Sequence, residues 1–242
     1  MELGARAGFV PDGSTLPVAG LLINKRLAKK ERLERKPFTD SDLAAILSHN
    51  EFLSQRADRP ERYWLVLCLL LSGARREEIA QLAVSDIQHK DGIHYFDITN
   101  EGESQSLKNA GSKRRVPINS ELVRLGFLEY VKKQRRGGRL FPQLDKGSNG
   151  YGDAVGKWFE RLLRHFLHMT DPGLVLHSTR HTVITRLHAA GVPTNLVEIL
   201  VGHASNTVHG TVYVHREDIP LKLLAEALER LWYPTVRLLE AT

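Results

Sequence analysis

The longest apolar run in the chain, residues 64–71, places the strongest constraint on its fold. A helix over 61–71 has a charged first turn and is apolar on nearly every side after it, which is typical of a helix buried all round. Gly73 is placed to end this helix. The run is far shorter than the roughly 18 residues that a membrane span needs. The sequence therefore predicts a central core helix around which the rest of the chain packs.

Most of the remaining pattern is helical. Thr39 and Asp42 form a capping-box pattern ahead of apolar residues at helical spacing. After a turn signal at 91–92, residues 93–98 are rich in aromatic and β-branched side chains and predict a strand, with 115–118 as its partner. Further helices are predicted at 76–82, 121–131, 153–168, 179–190, 195–201 and 221–231. The predicted fold class is mostly α with a small antiparallel β-sheet (α+β).

The charge balance favours a polyanionic partner. Lys and Arg number 34 against 28 Asp and Glu, which gives a formal net charge of +6. The basic residues cluster within 25–36 and within 132–139. Taken alone, either cluster is more simply explained as a solvated face or a linker.

Several common site types are absent from the sequence. It has no Walker-type phosphate loop, no glycine-rich dinucleotide fingerprint after a strand and no paired-histidine zinc motif. The single cysteine, Cys68, cannot form an internal disulfide and fits a reducing, cytoplasmic setting. Residues 1–20 lack the pattern of a signal peptide. We therefore expect a cytoplasmic protein that uses neither a metal nor a nucleotide cofactor.

Arg180 occupies a position where a charged side chain needs either a partner or a functional role. It precedes Val183 by three residues and so falls on or beside the buried face of the predicted helix. Ser178 or Thr179 is the predicted N-cap of that helix. His177, three residues before Arg180, points toward the same region. A structural ion pair with a buried carboxylate is an equally good explanation of Arg180 by itself.

Three further positions carry polar groups at helix breaks or between apolar residues. Arg75 lies at the break between two apolar helices, and Glu78 is placed to hold it. His203 follows Gly202, which is predicted to end a helix. Tyr213 lies ten residues after His203, between two valines. Each of these is more often structural than catalytic when it is considered alone.

A zinc site is the alternative explanation for the histidines. It would use His177, His181 and His203. The set lacks a cysteine and lacks a carboxylate at a known ligand spacing, which makes this alternative the weaker one.

Taken together, these segments resemble the signature segments of the tyrosine site-specific recombinases of the phage-integrase type. The resemblance covers about residues 37–215 and includes the order and approximate spacing of the segments. The segments are 73–79 (GARREEI), 176–182 (LHSTRHT) and 200–203 (LVGH), followed by Tyr213. The interval from His203 to Tyr213 is slightly longer than the commonest form, and Tyr233 lies too far along the chain to fit.

The family also uses a lysine in a β-hairpin before a Val-Pro-apolar segment. Residues 108–118 (KNAGSKRRVPI) fit that pattern, with Lys108 as the first choice and Lys113 as the fallback. The resemblance implies that Arg75 and Arg180 bind the scissile phosphate and that Tyr213 attacks it. It further implies that His177 is a base or phosphate ligand, that His203 donates to the phosphate, and that Lys108 protonates the leaving oxygen.

The resemblance implies a catalytic recombinase domain at 37–242 with a C-terminal helix. Residues 1–36 are predicted to be a basic linker together with the remnant of an N-terminal DNA-binding domain. We therefore expect a fragment that binds DNA weakly and with little specificity. The apolar stripe of helix 221–231 packs on its own domain or, as the resemblance implies, docks into a neighbouring subunit.

The predicted function is site-specific recombination of double-stranded DNA through a 3′-phosphotyrosine intermediate, performed by a homotetramer on DNA and away from membranes. One rival is a non-catalytic DNA-binding regulator, in which residues 195–214 would be helix-turn-helix-like. That rival does not require Arg75, Lys108 and Arg180 together. A type IB topoisomerase-like enzyme is the second rival, and the size of the chain and the spacing of His177 and Arg180 favour a recombinase.

Overall fold

The computed structural model describes residues 34–99, 105, 113–203 and 219–240. The described residues from Arg35 onward belong to one compact unit. Two of the predicted site residues, Lys108 and Tyr213, lie outside the described residues, as does nearly all of the predicted linker at 1–36.

The first described helix begins with the predicted capping box. Thr39 is the N-cap of helix α1 (Asp40–Ser48), and its hydroxyl accepts a hydrogen bond of 3.1 Å from the Asp42 N–H. The Asp42 carboxylate accepts one of 2.9 Å from the Thr39 N–H in return. This exchange satisfies two backbone donors at the start of the helix. Two short helices follow, α2 (Asn50–Leu53) and α3 (Gln55–Asp58).

Helix α4 (Pro60–Ser72) is the predicted central helix. Pro60 stands in its first turn, where the missing N–H costs nothing. Every residue from Tyr63 to Ser72 is buried, so the helix is surrounded on all sides. The helix ends at Gly73, whose φ of +67° lies in the left-handed region that favours glycine. Helix α5 (Arg76–Ala80) begins directly after this break.

The sheet contains three antiparallel strands in sequence order: β1 (Ile87–Lys90), β2 (Ile93–Ile98) and β3 (Arg114–Pro117). Phe96 of β2 pairs with Val116 of β3, and both are fully buried, which fixes the register. Asp91 and Gly92 join β1 to β2 with φ values of +52° and +79°. Two positive φ values in succession are what a tight hairpin turn requires. The sequence predicted β2 and β3 but not β1.

The remaining helices are α6 (Ser120–Arg124), α7 (Phe127–Lys132), α8 (Asp153–Arg161), α9 (Ser178–Ala189), α10 (Thr194–Val201), α11 (Leu221–Glu229) and α12 (Pro234–Arg237). The single helix predicted over 121–131 is instead two, because Gly126 takes a φ of +92° between them. The helix predicted over 153–168 is α8 followed by a π-helical turn at Leu162–Phe166.

Helix α11 packs within its own unit. Leu221, Leu224 and Leu228 are buried, and the helix contacts β3. At the far end of the helix, the Asn119 amide donates a 3.2 Å hydrogen bond to the Leu228 carbonyl. The Glu229 carboxylate accepts hydrogen bonds from the backbone and the hydroxyl of Ser120. These contacts stabilise the apolar stripe against the same chain.

Helix α9 packs across α4 and completes the core. Val183 and Leu187 of α9 are fully buried. A Cβ added at Gly73 would lie only 2.8 Å from Val183 Cγ1, so the two backbones approach closely where α4 ends. The mostly helical fold with a small antiparallel sheet is therefore confirmed. In the part of the chain that the structure describes, no helix has the length and apolar character to span a bilayer.

Candidate active site

Arg75 is held at the break between α4 and α5 by Glu78. It is the N-cap residue of α5, and its N–H donates a 2.8 Å hydrogen bond to Glu78 Oε2. Its guanidinium donates a 2.7 Å hydrogen bond from Nη1 to Glu78 Oε1. A carboxylate in the first turn of a helix also offsets the positive end of the helix dipole. The predicted contact between these two residues is confirmed.

Arg180 is buried where two helices end. Its side chain projects from the first turn of α9, and the residue is only 3% exposed. Nη1 donates a 2.7 Å hydrogen bond to the Gly73 carbonyl at the end of α4, and a second to the Val201 carbonyl at the end of α10. Helix C-terminal carbonyls lack partners within the helix and carry partial negative charge. They stabilise this guanidinium in place of the carboxylate that the structural explanation required.

Three arginines donate hydrogen bonds to consecutive backbone carbonyls at the end of α10. Arg114 Nε donates to the Leu200 carbonyl at 2.8 Å, and Arg75 Nη2 donates to the Gly202 carbonyl at 3.0 Å. Arg180 takes the Val201 carbonyl between them. Three elements distant in sequence, namely the α4–α5 break, β3 and α9, thus converge on one helix end.

The cluster holds more positive than negative charge. Three guanidiniums surround one carboxylate, that of Glu78, which is bonded to Arg75 and Arg114. Burial, with the charges of Arg75 and Arg114, lowers the pKa of Arg180 to about 9, although Glu78 acts in the opposite direction. An anion bound beside these groups would relieve that repulsion. Arg180 Nη2 is buried and has no hydrogen-bond partner among the described residues, so one donor of the cluster is left for such an anion.

His177 and His203 lie close enough to this charge to be affected by it. Loss of hydration, reinforced by Arg180, His181 and Arg75, lowers the pKa of His177 to about 4. Loss of hydration, Arg180 and Arg75 likewise lower the pKa of His203. Near neutral pH both imidazoles are therefore uncharged, a state in which a ring nitrogen can accept a proton. His203 follows Gly202 directly, so the end of α10 also fixes its backbone.

The helix start before Arg180 differs from the prediction. Ser178 and Thr179 are not the N-cap; His177 is the N-cap of α9, and its side chain makes no capping hydrogen bond. The Ser178 hydroxyl instead accepts from the Val175 N–H at 3.1 Å, and the Thr179 hydroxyl donates to the Leu176 carbonyl at 2.8 Å. Both hydroxyls stabilise the turn that precedes the helix, because that turn is buried and its backbone groups need partners.

The arrangement of the histidines bears on the zinc alternative. The rings of His177 and His181 meet edge to face, with their centroids 5.4 Å apart. Within the described ranges, no group of three or more His, Cys, Asp or Glu side chains is arranged to share a metal ion.

Lys108 and Tyr213, the remaining predicted site residues, lie outside the described residues. His203 is the last described residue before the segment that contains Tyr213. The fallback lysine, Lys113, is described and exposed. Tyr233 is 3% exposed, and its hydroxyl donates a 2.9 Å hydrogen bond to the Leu70 carbonyl. Burial raises the pKa of Tyr233, which makes this tyrosine a poor nucleophile.

Sequence reasoning missed Arg114. Its side chain is only 1% exposed and binds both oxygens of Glu78, with Nη1 to Oε1 at 3.2 Å and Nη2 to Oε2 at 2.9 Å. The signal was present in the alternation of β3, because Arg114 shares a face with buried Val116. A charged residue on the buried face of a strand needs a partner, and Glu78 is that partner.

The chain belongs to the phage integrase family. The family model matches residues 38–218, which is most of the chain. Members of this family are tyrosine recombinases, which act on DNA through a 3′-phosphotyrosine intermediate. The family predicted from the order of four sequence segments is confirmed.

The similar proteins include the tyrosine recombinase XerS of Streptococcus pneumoniae. The protein of strain P1031 is 27% identical over 199 residues, and the match covers 78% of this chain and 54% of the relative. The protein of strain CGSP14 is 26% identical with the same coverage. The chain thus spans about half the length of the curated relatives it matches.

Two solved structures share the fold. The Tn1549 transposon integrase, in complex with circular intermediate DNA, superposes with a TM-score of 0.51 at 22% identity, covering 69% of this chain and 59% of that one. The integrase from mycobacterium phage Brujita gives a TM-score of 0.53 at 18% identity, covering 82% of this chain and 58% of that one.

Proposed function

We propose that this chain contains the catalytic domain of a site-specific recombinase that cleaves and rejoins double-stranded DNA. The observation that carries the proposal is the pair formed by Arg75 and Arg180 on adjacent carbonyls of α10, with a buried donor of Arg180 left over. A DNA phosphodiester is an anion of the right chemistry for such a cluster, because guanidinium groups match its oxygens and stay charged.

Arg75 and Arg180 stabilise the charge that builds on phosphorus during attack. Their positions are set by Glu78 and by helix-end carbonyls before any substrate arrives. A donor fixed in advance requires no rearrangement during the reaction, and one such donor is typically worth about 3 kcal/mol in the transition state.

Tyr213 is the proposed nucleophile. Its phenol oxygen forms a bond to phosphorus while the bond from phosphorus to the 5′ oxygen breaks, which leaves a 3′-phosphotyrosine. The phenol proton passes to His177, which is uncharged near neutral pH. Lys108 gives a proton to the departing 5′ oxygen, and His203 donates a hydrogen bond to the phosphate. An incoming 5′ hydroxyl reverses the step and releases Tyr213.

We further propose that the protein acts on DNA as a homotetramer in the cytoplasm. The Tn1549 integrase, which was solved in complex with circular intermediate DNA, supports a DNA partner for this chain. If subunits exchange a C-terminal segment, there are two routes. Either α11 leaves β3 and is exchanged, or only the residues after α11 are exchanged. In that later region Leu238 is 81% exposed, which favours the second route.

The proposed domain organisation remains a basic linker and DNA-binding remnant at 1–36, followed by the catalytic domain at 37–242. The last two residues of this linker already contact the compact unit, which begins at Arg35. Arg35 donates to the Pro172 carbonyl at 3.1 Å, and Lys36 pairs with Asp171 at 2.7 Å.

A nicked-duplex assay tests the proposal. Nicked duplexes drawn from the sequences that flank the gene would lose a short fragment after cleavage, which traps the covalent protein–DNA adduct. We expect the wild-type chain to form an adduct stable to denaturation, and Tyr213→Phe to form none while still binding DNA. Tyr233→Phe is the matched control, because Tyr233 is buried in the core, and it should retain the adduct. An adduct that survives Tyr213→Phe would refute the assignment.

A further inference from the structure

Arg114 lies behind the proposed phosphate site and reaches no solvent of its own. Its side chain is 1% exposed, compared with 22% for Arg75. Its side chain donates hydrogen bonds to the Glu78 carboxylate and to the Leu200 carbonyl. A buried guanidinium with this set of contacts is available to act on other groups but not to meet a substrate directly.

Glu78 is shared between two arginines. Oε1 accepts from Arg75 Nη1 at 2.7 Å and from Arg114 Nη1 at 3.2 Å. Oε2 accepts from the Arg75 N–H at 2.8 Å and from Arg114 Nη2 at 2.9 Å. Burial alone would raise the pKa of Glu78, but the charge and hydrogen bonds of Arg114, with those of Arg75, lower it. The carboxylate is therefore ionised, and both of its oxygens are occupied.

This sharing has a consequence for the charge of Arg75. If Arg75 and Glu78 formed an ion pair without Arg114, their charges would cancel, and the carboxylate would repel an incoming phosphate. Because Arg114 binds both carboxylate oxygens, its positive charge neutralises that of Glu78. The charge of Arg75, the more exposed of the two arginines, therefore remains available.

Arg114 also fixes the end of α10. Its Nε donates a hydrogen bond to the Leu200 carbonyl, which is next to the two carbonyls that bind Arg180 and Arg75. Gly202 packs against this guanidinium so closely that an added Cβ would lie 2.6 Å from Arg114 Nη1. The position of the helix end, and hence of the carbonyls that hold both phosphate-binding arginines, depends on Arg114.

We infer that Arg114 is a positioning residue for the phosphate-binding arginines: it balances Glu78 and clamps the end of α10, so that Arg75 and Arg180 are held with their charge available to a phosphate. This inference rests on the proposed function for the identity of the anion. It predicts that Arg114 affects the rate of DNA cleavage more strongly than it affects DNA affinity.

The first variant is Arg114→Lys, which keeps the charge but cannot make the forked contact with Glu78. We expect a folded protein whose adduct forms about 10-fold more slowly in single-turnover assays, with DNA affinity within about 3-fold of wild type. Arg115→Lys, at the half-exposed neighbouring position of β3, is the matched control and should keep the wild-type rate.

The second variant is Arg114→Met with Glu78→Gln, which removes both buried charges together. Replacing a buried ion pair by uncharged groups is often tolerated, so this protein should remain folded even if Arg114→Met alone does not. We expect its thermal midpoint to exceed that of Arg114→Met. Its cleavage rate should stay at least about 10-fold below wild type, because the contact with Leu200 is lost and Arg75 no longer has a carboxylate partner.

A readout without catalysis separates this inference from the proposed function. Inorganic phosphate should raise the thermal midpoint of the wild-type chain more than that of Arg114→Lys. If the wild type forms no adduct, the proposed function fails and the phosphate shift alone decides the role of Arg114. Rates and phosphate shifts of both folded variants equal to wild type would overturn the inference.

Discussion

Arg75 and Arg180 donate hydrogen bonds to consecutive backbone carbonyls, those of Gly202 and Val201, at the carboxyl end of one helix. They come from elements about a hundred residues apart, so the shared helix end sets the distance between them. Carbonyls at a helix end attract cations without cancelling a full charge, as a carboxylate would. The arrangement therefore holds two arginines side by side and leaves the cluster electropositive.

Gly202 should tolerate no side chain. It has a φ of +72°, and an added Cβ would lie 2.6 Å from Arg114 Nη1. We expect Gly202→Ala to lower the free energy of unfolding by more than the roughly 1 kcal/mol that left-handed backbone costs a non-glycine residue, and to slow adduct formation at least about 10-fold. Thermal unfolding and single-turnover assays measure the two effects.

Gly191→Ala is the matched control for this substitution. Gly191 has a φ of +74°, but nothing lies within 4 Å of an added Cβ. It should show the backbone cost alone and an unchanged cleavage rate. Equal effects of the two substitutions would show that the contact with Arg114 is unimportant.

Arg180→Lys should separate charge from geometry. A lysine keeps a positive charge, but its single nitrogen cannot bind the Gly73 and Val201 carbonyls and also place a donor where Arg180 Nη2 lies. We expect the rate of adduct formation to fall about 100-fold, with some loss of stability. Arg161→Lys, at an exposed position of α8, is the control and should behave as wild type. An Arg180→Lys protein that cleaves at the normal rate would contradict the proposed role.

His177 should make the fold sensitive to mild acid. Its folded pKa of about 4 lies below the ordinary value of 6.5, so between these values the unfolded chain binds a proton that the folded chain does not. The free energy of unfolding should therefore be full above about pH 6.5 and fall as the pH decreases toward 4. Urea unfolding of His177→Asn should show a weaker decrease than the wild type.

His165→Asn provides the control for the acid experiment, because His165 lies in the π-helical turn after α8. It removes an imidazole from outside the arginine cluster. If the wild type and His177→Asn lose the same stability between neutral pH and pH 5, burial and the arginines do not lower the pKa of His177 as described.

Adduct formation should not require a divalent ion. The charge that a metal would supply to a phosphate is already present in Arg75 and Arg180, whose guanidinium groups stay protonated near neutral pH. We expect the same yield of adduct with EDTA as with magnesium. A strict need for a divalent ion would favour the metal hypothesis over the arginine mechanism.

The apolar patterns predicted the main elements of the fold. The central helix α4 was evident because its apolar residues cover every side, and β2 because aromatic and β-branched residues concentrate there. Strand β1 was missed because it is a largely exposed edge strand with little apolar alternation. Gly126 breaks a helix that looked continuous, since periodicity does not reveal a change of φ at one residue.

The site was predicted by residue type and order but not by contacts. The sequence indicated that Glu78 would hold Arg75, because residues three apart are neighbours near a helix start. It gave no indication that three arginines would bind Leu200, Val201 and Gly202. Which backbone carbonyl an arginine reaches is decided by how distant elements pack.

Peptide mapping of the covalent adduct identifies the attacking residue. After cleavage of a nicked duplex, protease and nuclease digestion would leave one peptide that carries a nucleotide remnant, and tandem mass spectrometry locates the modified residue. We expect a 3′-phosphate linked to Tyr213. A linkage to Tyr233, to a serine or to any other residue would contradict it.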